Sequence, residues 1–301
     1  MLRALTFSLA LACGICTAGA QSAEPELRLP AIPDTLKSAP ERAAYLIAHF
    51  WDNMDFADTT MSANAQFMEQ NFANYASLFP HTDIAAILPD AAKSLMHRAE
   101  VNRNAYNLLA ETADTYLYEP ESPVANEGAY MYFLQAINES PFIDPALRTR
   151  YEIQLQDVLK NRPGTKATDF EILLRDGTTA TLLEKCKSAK ATILIFYDPE
   201  CENCSRLVEE MRRDPDLNRA VSQRHLNIIA VYPDGDEEEF GKAEGKIPGG
   251  WIDGMSPDGK ISEEELYSMP TFPTLYLIDA NGKVLIKNGR PAEVVDAALS
   301  I

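Results

Sequence analysis

The chain has 301 residues, which suggests about two domains of ordinary size. Hydrophobic residues make up 46% and charged residues 24%, the balance of a globular protein rather than a disordered tail. Asp plus Glu is 45 against 27 Lys plus Arg, and the net charge of -18 repels phosphate, which argues against nucleic acid or anionic lipid as a partner. Five cysteines are too few for a disulfide-rich secreted scaffold.

The first 20 residues read as a signal peptide. Arg3 supplies a positive start, Leu5 to Ile15 an apolar stretch, and Ala18-Gly19-Ala20 a cleavage site, so the mature chain is expected to begin at Gln21. A lipid anchor is the alternative, but Cys13 comes early and Cys16 follows the bulky Ile15. After residue 20 no apolar run approaches the ~20 residues of a membrane span. Export leaves Cys186, Cys201 and Cys204 in an oxidising compartment.

Residues 21–40 hold Pro25, Pro30, Pro33 and Pro40 and read as an irregular linker. Residues 41–160 read as an all-α domain. Ala44, Leu46, Ile47, Phe50 and Trp51 make one helical face, and Phe67, Phe72, Tyr75, Leu78 and Phe79 a second. Leu95 to Tyr118 predicts one long helix, with Val101, Tyr106, Leu108, Leu109 and Ala113 inward. Glu127 to Ala136 and Ala146 to Leu159 complete the set.

From 164 to 301 the pattern is α/β. Phe170 to Leu174 and Thr178 to Leu182 flank Asp176-Gly177, a hairpin signal. Ala191 to Tyr197 and Leu226 to Tyr232 read as strands buried on both faces, with a helix at Ser205 to Arg213 between them. Leu275 to Ile278 and Val284 to Lys287 form a second hairpin, and Ala292 to Leu299 a closing helix.

The first of these buried strands runs into Asp198-Pro199-Glu200-Cys201-Glu202-Asn203-Cys204. A Cys-x-x-Cys at a strand-to-helix junction puts the first sulfur where free N–H groups favour a thiolate and the second one turn deeper. Such a pair can attack a substrate disulfide and then resolve the mixed disulfide. No second Cys pair or nearby His completes a zinc site, and Ser205 stands where covalent haem requires His. The plainer alternative is a structural disulfide. Pro273 opens the strand Thr274 to Asp279 and fits a cis-proline loop facing the cysteines, which leaves the backbone of Phe272 free for an extended substrate. An ordinary trans proline is the competing reading.

Residues 164–301 resemble a thioredoxin-like domain of the TlpA/ResA type, through Ala167-Thr168-Asp169-Phe170, the Asp176-Gly177 hairpin, FYDPECENC and FPTLYLIDANGKVL. The resemblance implies redox roles for Cys201 and Cys204 and a cis peptide at Pro273. Tyr45, Phe50, Trp51, Asp52 and Phe56 resemble a helical domain of unknown function found ahead of such domains in Gram-negative envelope proteins. Glu200 stands where that family usually has Trp, and Asp198, Glu200 and Glu202 add negative charge that opposes a thiolate, so a reductase-side poise is expected.

Other features read plainly. Asp234 to Glu239 is a solvated helix start, and Trp251 either covers the cysteines or packs in the core. Gly254 to Glu265 imitates a calcium loop but has Gly254 where an acid is required. Cys186 is expected to be a buried hydrophobe rather than a partner for Cys201. His49, His81, His97 and His225 show no ligand spacing, so no metal site is assigned. The expected function is periplasmic thiol–disulfide exchange with client proteins, Cys201 attacking, Cys204 resolving and Phe272-Pro273 docking substrate. An electron donor restores the pair and no cofactor is required. The rival is an adaptor with a static disulfide whose helical domain binds the partner.

Overall fold

The computed structural model describes residues 25–119 and 122–301. The expected signal peptide and its cleavage site lie outside the described residues. Residues 25–38 contain no helix or strand, yet Leu27 is buried in the helical core, and the Asn53 side chain donates to the Arg28 carbonyl at 2.8 Å.

Among the described residues seven α-helices follow: α1 (Ala39–His49), α2 (Thr59–Ser62), α3 (Ala65–Ala76), α4 (Leu88–Ala99), α5 (Arg103–Leu117), α6 (Glu127–Glu139) and α7 (Pro145–Leu159). α1 begins with a capping box, Ser38 taking the Glu41 N–H and Glu41 the Ser38 N–H. The expected single helix over Leu95 to Tyr118 is two. Asn102 caps α5 by accepting from the N–H groups of Asn104 and Ala105, which turns the chain and leaves Val101 68% exposed rather than inward. Inside the bundle the buried Asp114 carboxylate ties three helices together, accepting from Tyr130 at 2.9 Å, Gln154 at 2.8 Å and Arg150.

The second domain is one seven-stranded sheet, made of β1 (Glu171–Leu174), β2 (Thr179–Thr181), β3 (Ala191–Phe196), β4 (Leu226–Tyr232), β5 (Ile252–Met255), β6 (Thr274–Asp279) and β7 (Val284–Ile286). Its order is β2-β1-β5-β4-β3-β6-β7, with β3, β4 and β5 mutually parallel and β6 antiparallel to β3. The helices are α8 (Leu182–Cys186), α9 (Glu202–Arg213), α10 (Pro215–Ser222), α11 (Glu237–Lys242), α12 (Lys260–Glu263) and α13 (Pro291–Leu299).

Alternation along the strands builds two cores. Ile193 and Ile195 of β3 join Ile228, Leu275 and Leu277 against Leu207, Met211 and Val294 on one face. Leu194 and Phe196 join Ile229, Val231 and Tyr276 against Leu182 and Tyr267 on the other. Each fully buried Leu, Ile or Phe contributes about 1.5–3 kcal/mol.

β5 was not expected, because Ile252-Asp253-Gly254-Met255 has no strand-like alternation. Its neighbours impose it: Ile229 pairs with Ile252 on one side and Leu173 with Met255 on the other. Gly254 suits the crowding, since a Cβ there would lie 2.3 Å from Ile172 Cγ2.

Candidate functional site: a cysteine pair at the N-terminus of α9

β3 delivers the chain to Tyr197, and a tight turn follows. The Asp198 carboxylate accepts from the Glu200 N–H at 2.8 Å, and the Asp198 carbonyl from the Cys201 N–H at 3.1 Å. Cys201 is the N-cap of α9, its sulfur accepting from the Cys204 N–H at 3.1 Å. Cys204, Leu207, Val208 and Met211 form the buried stripe of α9, at helical spacing. Arg212 and Arg213 complement its C-terminal end. The same pattern turns Cys204 inward, 3% exposed, and leaves Cys201 half-buried at the rim.

Phe272-Pro273 is a cis peptide bond. The Phe272 carbonyl lies 3.5 Å from the Cys201 sulfur and accepts from its thiol. The register of the sheet brings them together, since Phe196 at the end of β3 sits opposite Thr274 at the start of β6. All four expected site residues, Cys201, Cys204, Phe272 and Pro273, therefore stand at one end of the sheet. Cys201 and Cys204 are free thiols in this structure.

The Cys204 thiol is pushed up to about 12, first by burial and then by the neighbouring Cys201. The Asp198 backbone pulls the other way, and the Asp198 charge adds only a smaller upward push. Burial, rather than the flanking acids, is thus the main cause. Glu200 is partly neutralised by Lys242 at 3.3 Å, and Lys246 donates to the Pro199 carbonyl at 3.0 Å. Lys246 also lines a cavity of about 210 Å3 beside Cys204, together with Tyr197, Asp198 and Ile247.

At pH 8, iodoacetamide should label Cys201 and leave Cys204 unlabelled in the folded dithiol protein. A thiol with a pKa near 12 is thiolate in only about one molecule in 10⁴. Peptide mass spectrometry reads this, and equal labelling of Cys204 would contradict it. Unfolded Cys204 ionises near pH 9 while the folded thiol keeps its proton, so dithiol stability should fall as pH rises from 9 towards 12.

Trp251 is buried in the core and lines a groove with Phe240, Arg175 and Asp253. There Arg175 stacks on Phe240 at 3.3 Å, and the Asp253 carboxylate takes Arg175 at 2.7 Å and the Tyr197 hydroxyl at 3.1 Å. No local pattern marks this group, whose members are far apart in the chain: Asp253 lies on β5, Phe240 on α11, and Arg175 and Tyr197 just past the ends of β1 and β3. Cys186 packs in the opposite core from Cys204, where burial pushes its thiol up. Glu237 to Lys242 form α11, capped by Asp236. Asp258 pairs with Lys260 at the start of α12. Among the described residues no group of His, Cys, Asp and Glu is placed to hold a metal, and no helix is long and apolar enough to cross a membrane.

No curated protein matches the chain. A thioredoxin-like protein from Bacteroides caccae, known from a crystal structure, is 29% identical over 92% of this chain and 99% of its own, with a TM-score of 0.82. A conserved protein of unknown function from Bacteroides fragilis is 32% identical, covering 45% of this chain and 98% of its own, with a TM-score of 0.43. A putative thiol:disulfide interchange protein from Chlorobium tepidum is 26% identical, covering 46% and 97%, with a TM-score of 0.36. The likeness to the Bacteroides caccae protein spans both the helical and the α/β part. The family described as Domain of unknown function (DUF5106) matches residues 10–161, half of the chain, and the Thioredoxin-like domain family matches residues 182–300. The chain therefore belongs to the DUF5106 family and carries a thioredoxin-like domain behind that helical part.

Proposed function

We propose that this protein is an exported thiol–disulfide oxidoreductase that reduces disulfides in client proteins. The observation that carries the reading is the half-buried Cys201 sulfur at the N-cap of α9, 3.5 Å from the Phe272 carbonyl, with Cys204 buried one turn inward. Cys201, as thiolate, attacks one sulfur of a client disulfide. A mixed disulfide forms, and the client's other sulfur leaves as a thiolate. Cys204 then loses its proton and attacks the Cys201 sulfur. The Cys201–Cys204 disulfide forms, the client leaves as a dithiol, and two electrons have passed to it. A dithiol donor restores the pair, so the two sulfurs suffice without a cofactor. Phe272 and Pro273 form the edge against which an extended client strand lies.

Residues 1–20 supply the export signal in this reading, and the reaction runs in the periplasm. The buried, protonated Cys204 supports a reductase-side poise, because the dithiol form gains little from a stabilised thiolate. A potential nearer the ~-270 mV of a reducing thioredoxin than the ~-120 mV of a strong oxidant is expected. Equilibration with glutathione measures it.

The decisive experiment is a trap. Purified Cys204→Ala, mixed with a disulfide-bonded test protein, should accumulate a mixed disulfide through Cys201 that dithiothreitol releases. A folded variant that forms none would overturn the reading in favour of an adaptor.

A further inference from the structure

The contacts between the helical and thioredoxin-like domains gather at the end of the sheet that carries the cysteines. β7 runs antiparallel to β6, with Leu277 opposite Ile286, so Lys287 and Asn288 continue towards the start of β6. The C-terminal turn of α7 meets them there. The Asp157 carboxylate accepts from the Ser268 hydroxyl at 2.7 Å and the Tyr118 hydroxyl at 3.3 Å, and the Asp157 carbonyl accepts from the Lys287 ammonium at 2.7 Å. Lys160 meets Glu265 at 2.9 Å, and the Asn161 amide donates to the Leu266 carbonyl at 2.8 Å.

Three of these contacts hold one segment, residues 264–273, which ends in Phe272-Pro273. Ser268 is their centre. It is 2% exposed, its hydroxyl also accepts from Asn288 at 3.1 Å, and its carbonyl accepts from the Tyr276 hydroxyl at 2.8 Å. A buried hydroxyl that loses its carboxylate acceptor is left unsatisfied at a cost in free energy, which favours a shift of the segment towards another partner.

We propose that Asp157 is a positioning residue, through which the helical domain holds the 264–273 segment so that the Phe272 carbonyl stands beside Cys201. This gives the helical domain a part in client docking and rests on the exchange reaction proposed above. A client that pairs with the Phe272 backbone is sensitive to that placement. A small aromatic disulfide, which has no backbone to pair, is not.

The test compares wild type with Asp157→Ala and Asp157→Asn in the full chain, on insulin and on dithionitrobenzoate. In Asp157→Ala the KM for insulin should rise about tenfold, with kcat, the dithionitrobenzoate rate and the glutathione equilibrium unchanged. Asp157→Asn keeps an oxygen acceptor for Ser268 and should restore the KM. Deuterium uptake should rise in residues 264–273 of Asp157→Ala and not in α9. An unchanged KM, or equal losses on both substrates, overturns the inference. Should Asp157→Ala not fold, Ser268→Ala tests the same bond by the same insulin KM and deuterium uptake. A wild-type protein that reduces neither substrate sinks the exchange reaction instead, and the anchor then stands or falls on deuterium uptake.

Discussion

Replacing Cys201 with serine should lower disulfide-reducing activity by at least about 10³-fold without unfolding the protein. A serine hydroxyl is not ionised near neutral pH and cannot form a disulfide. The fold survives for a local reason. Cys201 caps α9 by taking the Cys204 N–H, and serine is among the best residues for that task. The variant therefore separates chemistry from stability. Insulin reduction measures the loss, and circular dichroism with thermal melting checks the fold. Activity within tenfold of wild type in a folded Cys201→Ser protein would end the assignment of Cys201 as nucleophile.

Replacing Lys287 with methionine should cost about 3 kcal/mol of stability, the largest effect expected away from the cysteines. The Lys287 side chain is 2% exposed and pairs with Glu127, which is 24% exposed. Methionine fills much of the space but leaves the Glu127 carboxylate facing a site without a cation. Burial already pushes the Glu127 carboxyl up, and Lys287 is what pulls it down. In the variant a proton should replace the missing charge, so the deficit should shrink as pH falls from 7 to 5. Adding Glu127→Gln should recover most of the loss, because no buried charge then lacks a partner. Lys93→Met is the control, since Lys93 and Glu139 pair on the surface with both side chains mostly exposed, and its midpoint should match wild type. Urea unfolding followed by fluorescence measures all four. A Lys287→Met midpoint equal to that of the Lys93 control would show that the pair contributes nothing.

Much of the site was legible because its determinants are local. Cys201 and Cys204 are three residues apart on one helix, and the strand before them is an unbroken apolar run. Pro273 could be placed because proline at the mouth of a strand has few structural uses. The break between α4 and α5 was missed for an opposite reason. Apolar residues continue through it at helical spacing, and the cap at Asn102 outweighs them. The state of the Cys204 thiol was not legible, because nearby acids are visible in a sequence whereas burial, which dominates there, is not.

Periodicity, turn chemistry and the spacing of two thiols were enough to separate a helical half from an α/β half and to place the cysteine pair at the start of a helix, because each acts within a few residues. The short β5 strand, the Arg175–Asp253–Tyr197 group and the anchor of Asp157, Ser268 and Lys287 depend on partners far apart in the chain. Their energies arise only when folding removes water from groups that no local pattern marks as neighbours.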